Sequence, residues 1–134
     1  MRYDLEVIVE LCREVGLGRV TRAPGEATIE LEEGVALIFR NLDEEDDCVM
    51  GFRGTGWHTH GGLLCSDRRG YCVEMSYLDI VVGLASGTVL IGELWEDGKL
   101  ADRWLVHKDY VDEFQYMQPG DEVRIRSASS KKVV

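Results

Sequence analysis

Apolar and polar residues alternate with two distinct periods along the chain, and these periods predict its helices and strands. Over residues 4–15 the apolar positions recur every three or four residues, which is typical of an amphipathic helix. Asp4 can cap the N-terminus of this helix, and Gly16 suits the left-handed position that ends it. A second helix is predicted over residues 76–86, closed by Gly87.

Strands are predicted where apolar residues alternate with polar ones or form short continuous runs. They lie at about 26–32, 35–42, 48–57, 88–96, 99–107 and 122–126. Asp97-Gly98 is a strong hairpin signal, because this pair accepts the positive φ angles of a type I′ turn. Residues 19–25 are predicted to be a connector and 61–72 a loop, while 109–117 fit either irregular structure or one or two helical turns. Hairpins dominate this order, so we expect an α+β domain, a mainly antiparallel sheet with two helices packed on it.

Length and composition indicate one globular domain. The chain has 134 residues, of which 45% are hydrophobic. We expect the domain to span residues 1–126 and a flexible C-terminal tail to follow at 127–134. No apolar run approaches the ~18–20 residues that cross a bilayer, and acidic residues interrupt the first apolar segment, unlike a secretory signal. We therefore expect the mature chain to begin at Met1 and to be cytoplasmic, with no membrane contact.

Charge restricts the classes of partner. Fifteen basic and 25 acidic residues give a net charge of −10, with histidine neutral. Nucleic-acid binding needs lysine and arginine against phosphate, so this balance argues against it and favours a basic protein partner. Five consecutive acids form a predicted loop that is either solvated surface or a contact face for such a partner: Asp43, Glu44, Glu45, Asp46 and Asp47.

Residues 54–79 hold two of the three histidines, one of the three tryptophans and two of the four cysteines. Within them, His58 and His60 are two residues apart, so on a strand they project from one face and could bind one metal ion. Cys65 and Cys72 could complete a structural zinc site, or they could be small hydrophobic residues. Without a metal, the histidines and the preceding Trp57 are predicted to line a surface where a partner docks.

The pair His58-x-His60 followed by Ser76-x-x-Asp79 resembles the motif of JAMM-type zinc metalloproteases, the deubiquitinase and desampylase family. The resemblance implies a zinc hydrolase with His58, His60 and Asp79 as ligands, Ser76 beside the reacting oxyanion, and Glu26 or Glu30 as the general base. Ser76 and Asp79 also have the spacing of a helix N-terminal capping box, which requires no catalysis.

A second resemblance concerns a larger part of the chain. The Trp-His-x-His segment, the helix ending GLASGTV and the hairpin ELWEDGKLADRW look like the small immunity proteins that bacteria encode beside polymorphic toxins. This resemblance implies a non-enzymatic protein that binds a toxin domain and blocks it. We therefore expect no catalytic residue, no metal and no cofactor, with the acidic run, Trp57, His58 and His60 as the contact face. The zinc hydrolase is the alternative.

Overall fold

Two helices and ten strands form the part of the chain that the structure describes. This is a computed structural model, and it describes residues 2–44, 46–66, 69–111 and 119–128. The helices are α1 (Leu5–Val15) and α2 (Tyr77–Ser86). The strands are β1 (Arg19–Ala23), β2 (Glu26–Glu32), β3 (Val35–Leu42), β4 (Asp47–Phe52), β5 (His58–Thr59), β6 (Leu63–Ser66), β7 (Cys72–Met75), β8 (Val89–Glu96), β9 (Lys99–His107) and β10 (Asp121–Ser127).

Every pair of neighbouring strands in the described region is antiparallel. A five-stranded sheet follows chain order, β1-β2-β3-β4-β5, and a three-stranded sheet has the order β10-β8-β9. Strands β6 and β7 form a separate hairpin. Helix α1 contacts β1, β2 and α2, while α2 contacts β7 and β8. The predicted α+β class, with mainly antiparallel sheets and two helices packed on them, is confirmed.

Both helices begin and end with the caps that the sequence predicts. Asp4 accepts a hydrogen bond from the backbone N–H of Val7 (3.3 Å), and Gly16 adopts the left-handed conformation with φ of 70°. Ser76 accepts from the N–H of Asp79, whose carboxylate accepts from the N–H of Ser76, both at 3.1 Å. The capping-box interpretation of Ser76 and Asp79 is therefore confirmed.

The predicted connector at 19–25 is wrong, because residues 19–23 form β1. This edge strand is exposed apart from its half-buried second residue, so it lacks the alternation that reveals a strand. Ion pairs support its position, from Arg19 to Glu30 and from Arg22 to Glu6. At Gly18 a Cβ atom would lie 2.5 Å from the Glu30 carbonyl oxygen, so the close approach of β1 to β2 requires glycine.

Two further expectations are corrected around the histidine segment. The strand predicted at 48–57 ends at residue 52, and a turn separates β4 from the short β5. The loop predicted at 61–72 contains β6 and the first residue of β7, with Leu63 and Cys65 buried. At the chain's end β10 reaches residue 127 and Ala128 is buried. Residues 112–117 and 129–134, on which parts of two expectations fall, lie outside the described residues.

The two larger sheets are joined by a group of charges that has a buried pair at its centre. Glu93 and Arg103 face each other on β8 and β9 and are only 4% and 7% exposed. Arg103 Nε donates to Glu93 Oε2 at 2.8 Å, and Arg126 of β10 lies 3.5 Å from the same oxygen. Arg126 also pairs with Glu32, at the end of β2 in the other sheet. We call these four residues the inter-sheet ion cluster.

Candidate binding surface

The predicted acidic loop is the tight turn between β3 and β4. Asp43, Glu44 and Asp46 are exposed in it, and Glu45 lies outside the described residues. The side chain of Asp43 is 89% exposed and lies 3.8 Å from the guanidinium of Arg2. The turn therefore presents carboxylates to solvent, where they act on an approaching charge over about 8 Å at physiological salt.

Asp47 joins this turn to the histidine segment. Its carboxylate accepts from the backbone N–H of Cys48 through one oxygen (2.8 Å) and from His60 Nδ1 through the other (2.9 Å). The rings of His60 and His58 lie edge to face with centroids 5.4 Å apart. The structure thus brings together the acidic turn and both histidines, which the sequence separates by more than ten positions.

The imidazole of His58 lies against a backbone carbonyl on this surface. Its Nδ1 lies 3.1 Å from the carbonyl oxygen of Gly56. A carbonyl only accepts, so this contact favours the tautomer with the proton on Nδ1, which leaves a lone pair on Nε2 when the ring is neutral. The exposed imidazole therefore offers an acceptor to a partner's N–H group.

A groove opens beside His58 on the outer face of the five-stranded sheet. Its floor is Gly51 of β4, which lies in register between Ile38 of β3 and His58 of β5. The groove has a volume of about 180 Å³, and its walls include Ile38, Arg40, Val49, Thr55, Trp57 and His58. At Gly51 a Cβ atom would lie 2.8 Å from the carbonyl oxygen of Trp57. The absent side chain therefore both leaves the space and allows the Trp57 backbone to approach.

Trp57 is anchored to the second sheet. Its backbone N–H donates to Asp102 Oδ1 of β9 at 3.1 Å, and the same oxygen accepts from the N–H of Arg103 at 2.9 Å. The indole ring is half-buried, with its centroid 6.3 Å from that of Phe52. The wall of the groove is therefore fixed by both sheets.

Tyr3 fixes the other side of the histidine segment. Its buried hydroxyl donates to the carbonyl oxygen of Gly61 at 2.9 Å, next to His60. Its backbone exchanges two hydrogen bonds with the Asn41 side chain, at 2.8 and 3.0 Å. Burial, with the neighbouring Cys48, raises the pKa of the Tyr3 hydroxyl well above its usual range, so it stays a neutral donor.

The residues of the zinc hypotheses are not brought together. Asp79 serves the cap of α2 with Ser76, and Glu30 pairs with Arg19. Cys65 is buried in β6, whereas Cys72 is exposed on β7 and lies opposite Ser66, so the two thiols are on opposite faces of the hairpin. Across residues 2–44, 46–66, 69–111 and 119–128, no three His, Cys, Asp or Glu side chains are grouped so as to hold a metal ion.

The sequence predicts Trp57, both histidines and the acidic run as contact residues, but it does not point to the residues that hold them in place. Gly51, Tyr3 and Asp102 act through neighbours that are distant in sequence. Only Gly51 carried a signal, as a glycine inside a strand pattern, which indicates close backbone packing.

Comparison with protein-family models, curated proteins and solved structures gives no significant match to this chain. Neither helix in the described part of the chain is long and apolar enough to cross a membrane.

Proposed function

We propose that this chain is a non-enzymatic binding protein that captures a basic protein partner, as a bacterial immunity protein captures and blocks its toxin. The observation that carries the proposal is the 2.9 Å contact between Asp47 and His60. Through it the acidic turn, the two histidines and the Trp57 groove form one continuous surface. We call this the acidic-groove surface, made of residues 43, 44, 46, 47 and 57–60 with the groove at Gly51.

Each part of this surface has a distinct role in capture. The turn and the net charge of −10 attract a basic partner and accelerate encounter. Trp57 supplies aromatic contact area, which dominates the energetics of many interfaces. Both contributions are non-covalent and require no catalysis. The proposed mechanism is therefore that the bound chain covers the functional site of its partner.

The test separates local from overall charge. The variant Asp43→Asn/Glu44→Gln/Asp46→Asn removes three charges from the turn and keeps Asp47, because Asp47 holds His60. The control Glu10→Gln/Glu14→Gln/Glu33→Gln removes three charges from exposed positions elsewhere. Affinity capture first identifies a retained partner, and stopped-flow mixing then gives its association rate against salt.

We expect the turn variant to associate about tenfold more slowly at low salt and with a flatter salt dependence, since steering depends on local potential. The control should change much less. Equal effects of the two variants, or a captured partner that is itself acidic, would contradict the proposal. If the partner is a toxin, producing this chain in the same cell should restore growth.

A further inference from the structure

We propose that the groove at Gly51 receives an apolar side chain of the partner, carried on a segment rich in lysine and arginine. The inference rests on the proposed function and specifies the chemistry that the acidic-groove surface recognises. It combines a hollow lined in part by apolar side chains with exposed carboxylates on the same surface.

The hollow is an open groove with apolar side chains on part of its lining, beside polar groups of Arg40, Thr55 and His58. Ile38, Val49 and the indole of Trp57 provide apolar walls, and Gly51 leaves the floor without a side chain. The volume of about 180 Å³ exceeds the roughly 150 Å³ of a protein cavity that binds benzene. A leucine or phenylalanine side chain therefore fits, and burying it removes apolar surface from water.

The rim of the hollow favours cations beside that side chain. The guanidinium of Arg40 in its wall is already paired with Glu26, with Nε and a terminal nitrogen both 3.1 Å from the carboxylate. His58 offers the acceptor Nε2 rather than a donor when neutral. Beyond the histidines, Asp43, Glu44 and Asp46 are exposed, and of these Asp43 lies 3.8 Å from the guanidinium of Arg2. Charge complementarity therefore selects a lysine- or arginine-rich neighbourhood for the inserted side chain.

Three short peptides test this recognition in NMR titrations of the full chain. They are acetyl-Lys-Lys-Leu-Lys-Lys-amide, the same peptide with serine in place of leucine, and acetyl-Glu-Glu-Leu-Glu-Glu-amide. We expect the leucine peptide with lysines to bind about tenfold more tightly than the serine peptide, since one buried leucine supplies that order of difference. Its resonance shifts should centre on Gly51, Gly56 and Trp57.

Two valine-to-glutamine variants test whether the preference for the leucine peptide arises in the groove. Val49→Gln makes one wall of the groove polar, whereas Val82→Gln makes the same change on an exposed position of α2. We expect Val49→Gln to bind the two lysine peptides equally and Val82→Gln to retain the tenfold preference. Ile38→Gln is a second groove variant for use if Val49→Gln melts at a lower temperature than Val82→Gln.

The outcomes distinguish this inference from the proposed function. If both lysine peptides shift the turn at residues 43–47 with equal affinity, the groove inference fails and capture of basic partners stands. If the preference for leucine survives in both groove variants, the pocket lies elsewhere and the inference is again overturned. If neither lysine peptide shifts the turn, or if the glutamate peptide binds as tightly as its lysine counterpart, the proposed function fails as well.

Discussion

The buried hydroxyl of Thr55, beside the groove, lowers the stability of the folded chain. Its Oγ1 is buried and has no hydrogen-bond partner among the residues that the structure describes. The hydroxyl of Thr59, four residues later, donates to the Gly62 carbonyl oxygen at 2.8 Å. A buried polar group without a partner loses its hydration without compensation, at a cost of roughly 1–3 kcal/mol.

We therefore expect Thr55→Val to raise the free energy of unfolding by about 1 kcal/mol, because valine keeps the branched shape and removes the uncompensated oxygen. Thr59→Val is the matched control, and it should lower that free energy because it breaks a hydrogen bond that exists. Urea denaturation of both variants measures the difference. A loss of stability in Thr55→Val as large as that in Thr59→Val would contradict the prediction.

At the residue scale, side-chain type is the basis for proposing Trp57, His58 and His60 as contact residues, and neighbours distant in sequence hold them in place. Trp57 and His58 were identifiable because indole and imidazole groups beside glycines are typical of binding segments. The role of Tyr3 was not, because it precedes the predicted helix of residues 4–15 and belongs to no recognised pattern. Its hydrogen bond to Gly61 crosses 58 positions of sequence, and no local pattern encodes that distance.

Among the elements, α2 has the clearest local cause. The reciprocal hydrogen bonds of Ser76 and Asp79 satisfy two backbone N–H groups at its first turn. We expect Ser76→Ala to lower the free energy of unfolding by roughly 0.5–2 kcal/mol and Ser76→Asp to restore most of it, since aspartate is also a good N-cap.

Thermal and urea unfolding measure this loss, with Ser66→Ala, an exposed serine of β6, as the control. Capture of the partner should persist in Ser76→Ala, because the cap is not part of the acidic-groove surface. A variant with unchanged melting and abolished function would instead assign Ser76 a chemical role and revive the hydrolase interpretation.

Strands with one face in the core were predicted accurately, whereas exposed or very short strands were missed. Strands β2 and β3 have the bounds that the sequence predicts, because one face of each packs in the core and the apolar positions record that. Strand β1 was missed because an edge strand is held by backbone pairing and surface ions. The β6–β7 hairpin was missed because its four-residue strands are too short for a period to be recognised.

On the scale of the whole molecule, the inter-sheet ion cluster ties stability to pH. Burial alone would raise the pKa of Glu93, but hydrogen bonds from Arg103 and Trp95 outweigh it and hold that pKa below its usual value. The ionised carboxylate therefore stabilises the folded state above the unfolded pKa of about 4.3. This contribution is lost as pH falls through the lower, folded pKa.

We expect Glu93→Gln to lower the free energy of unfolding at neutral pH by about 3–5 kcal/mol, because Arg103 stays buried without its counter-charge. Its stability should then fall less than that of the wild type as the medium is acidified below about pH 5. Urea unfolding across this pH range tests both statements. Glu122→Gln, which breaks the exposed pair with Arg124, is the control and should change little. Parallel pH profiles for wild type and Glu93→Gln would refute the linkage.

The overall class was predictable and the division into sheets was not. Short turns such as Asp97-Gly98 specify antiparallel neighbours locally, so a mainly antiparallel fold follows from the sequence. Which strands pair across longer connections depends on packing between distant segments. The placement of β10 beside β8 and the burial of Glu93 and Arg103 both depend on such packing between distant segments.

The order β10-β8-β9 has a kinetic consequence. The strands of the five-stranded sheet pair with their neighbours in sequence, so each closes only a short loop, whereas β10 reaches β8 across the whole of β9. We expect β10 to dock after the folding transition state, since its loop-closure entropy is the largest. A destabilising change such as Val123→Ala should then raise the unfolding rate in stopped-flow experiments and leave the folding rate nearly unchanged. The lifetime of the folded chain would thus be set at its last described strand.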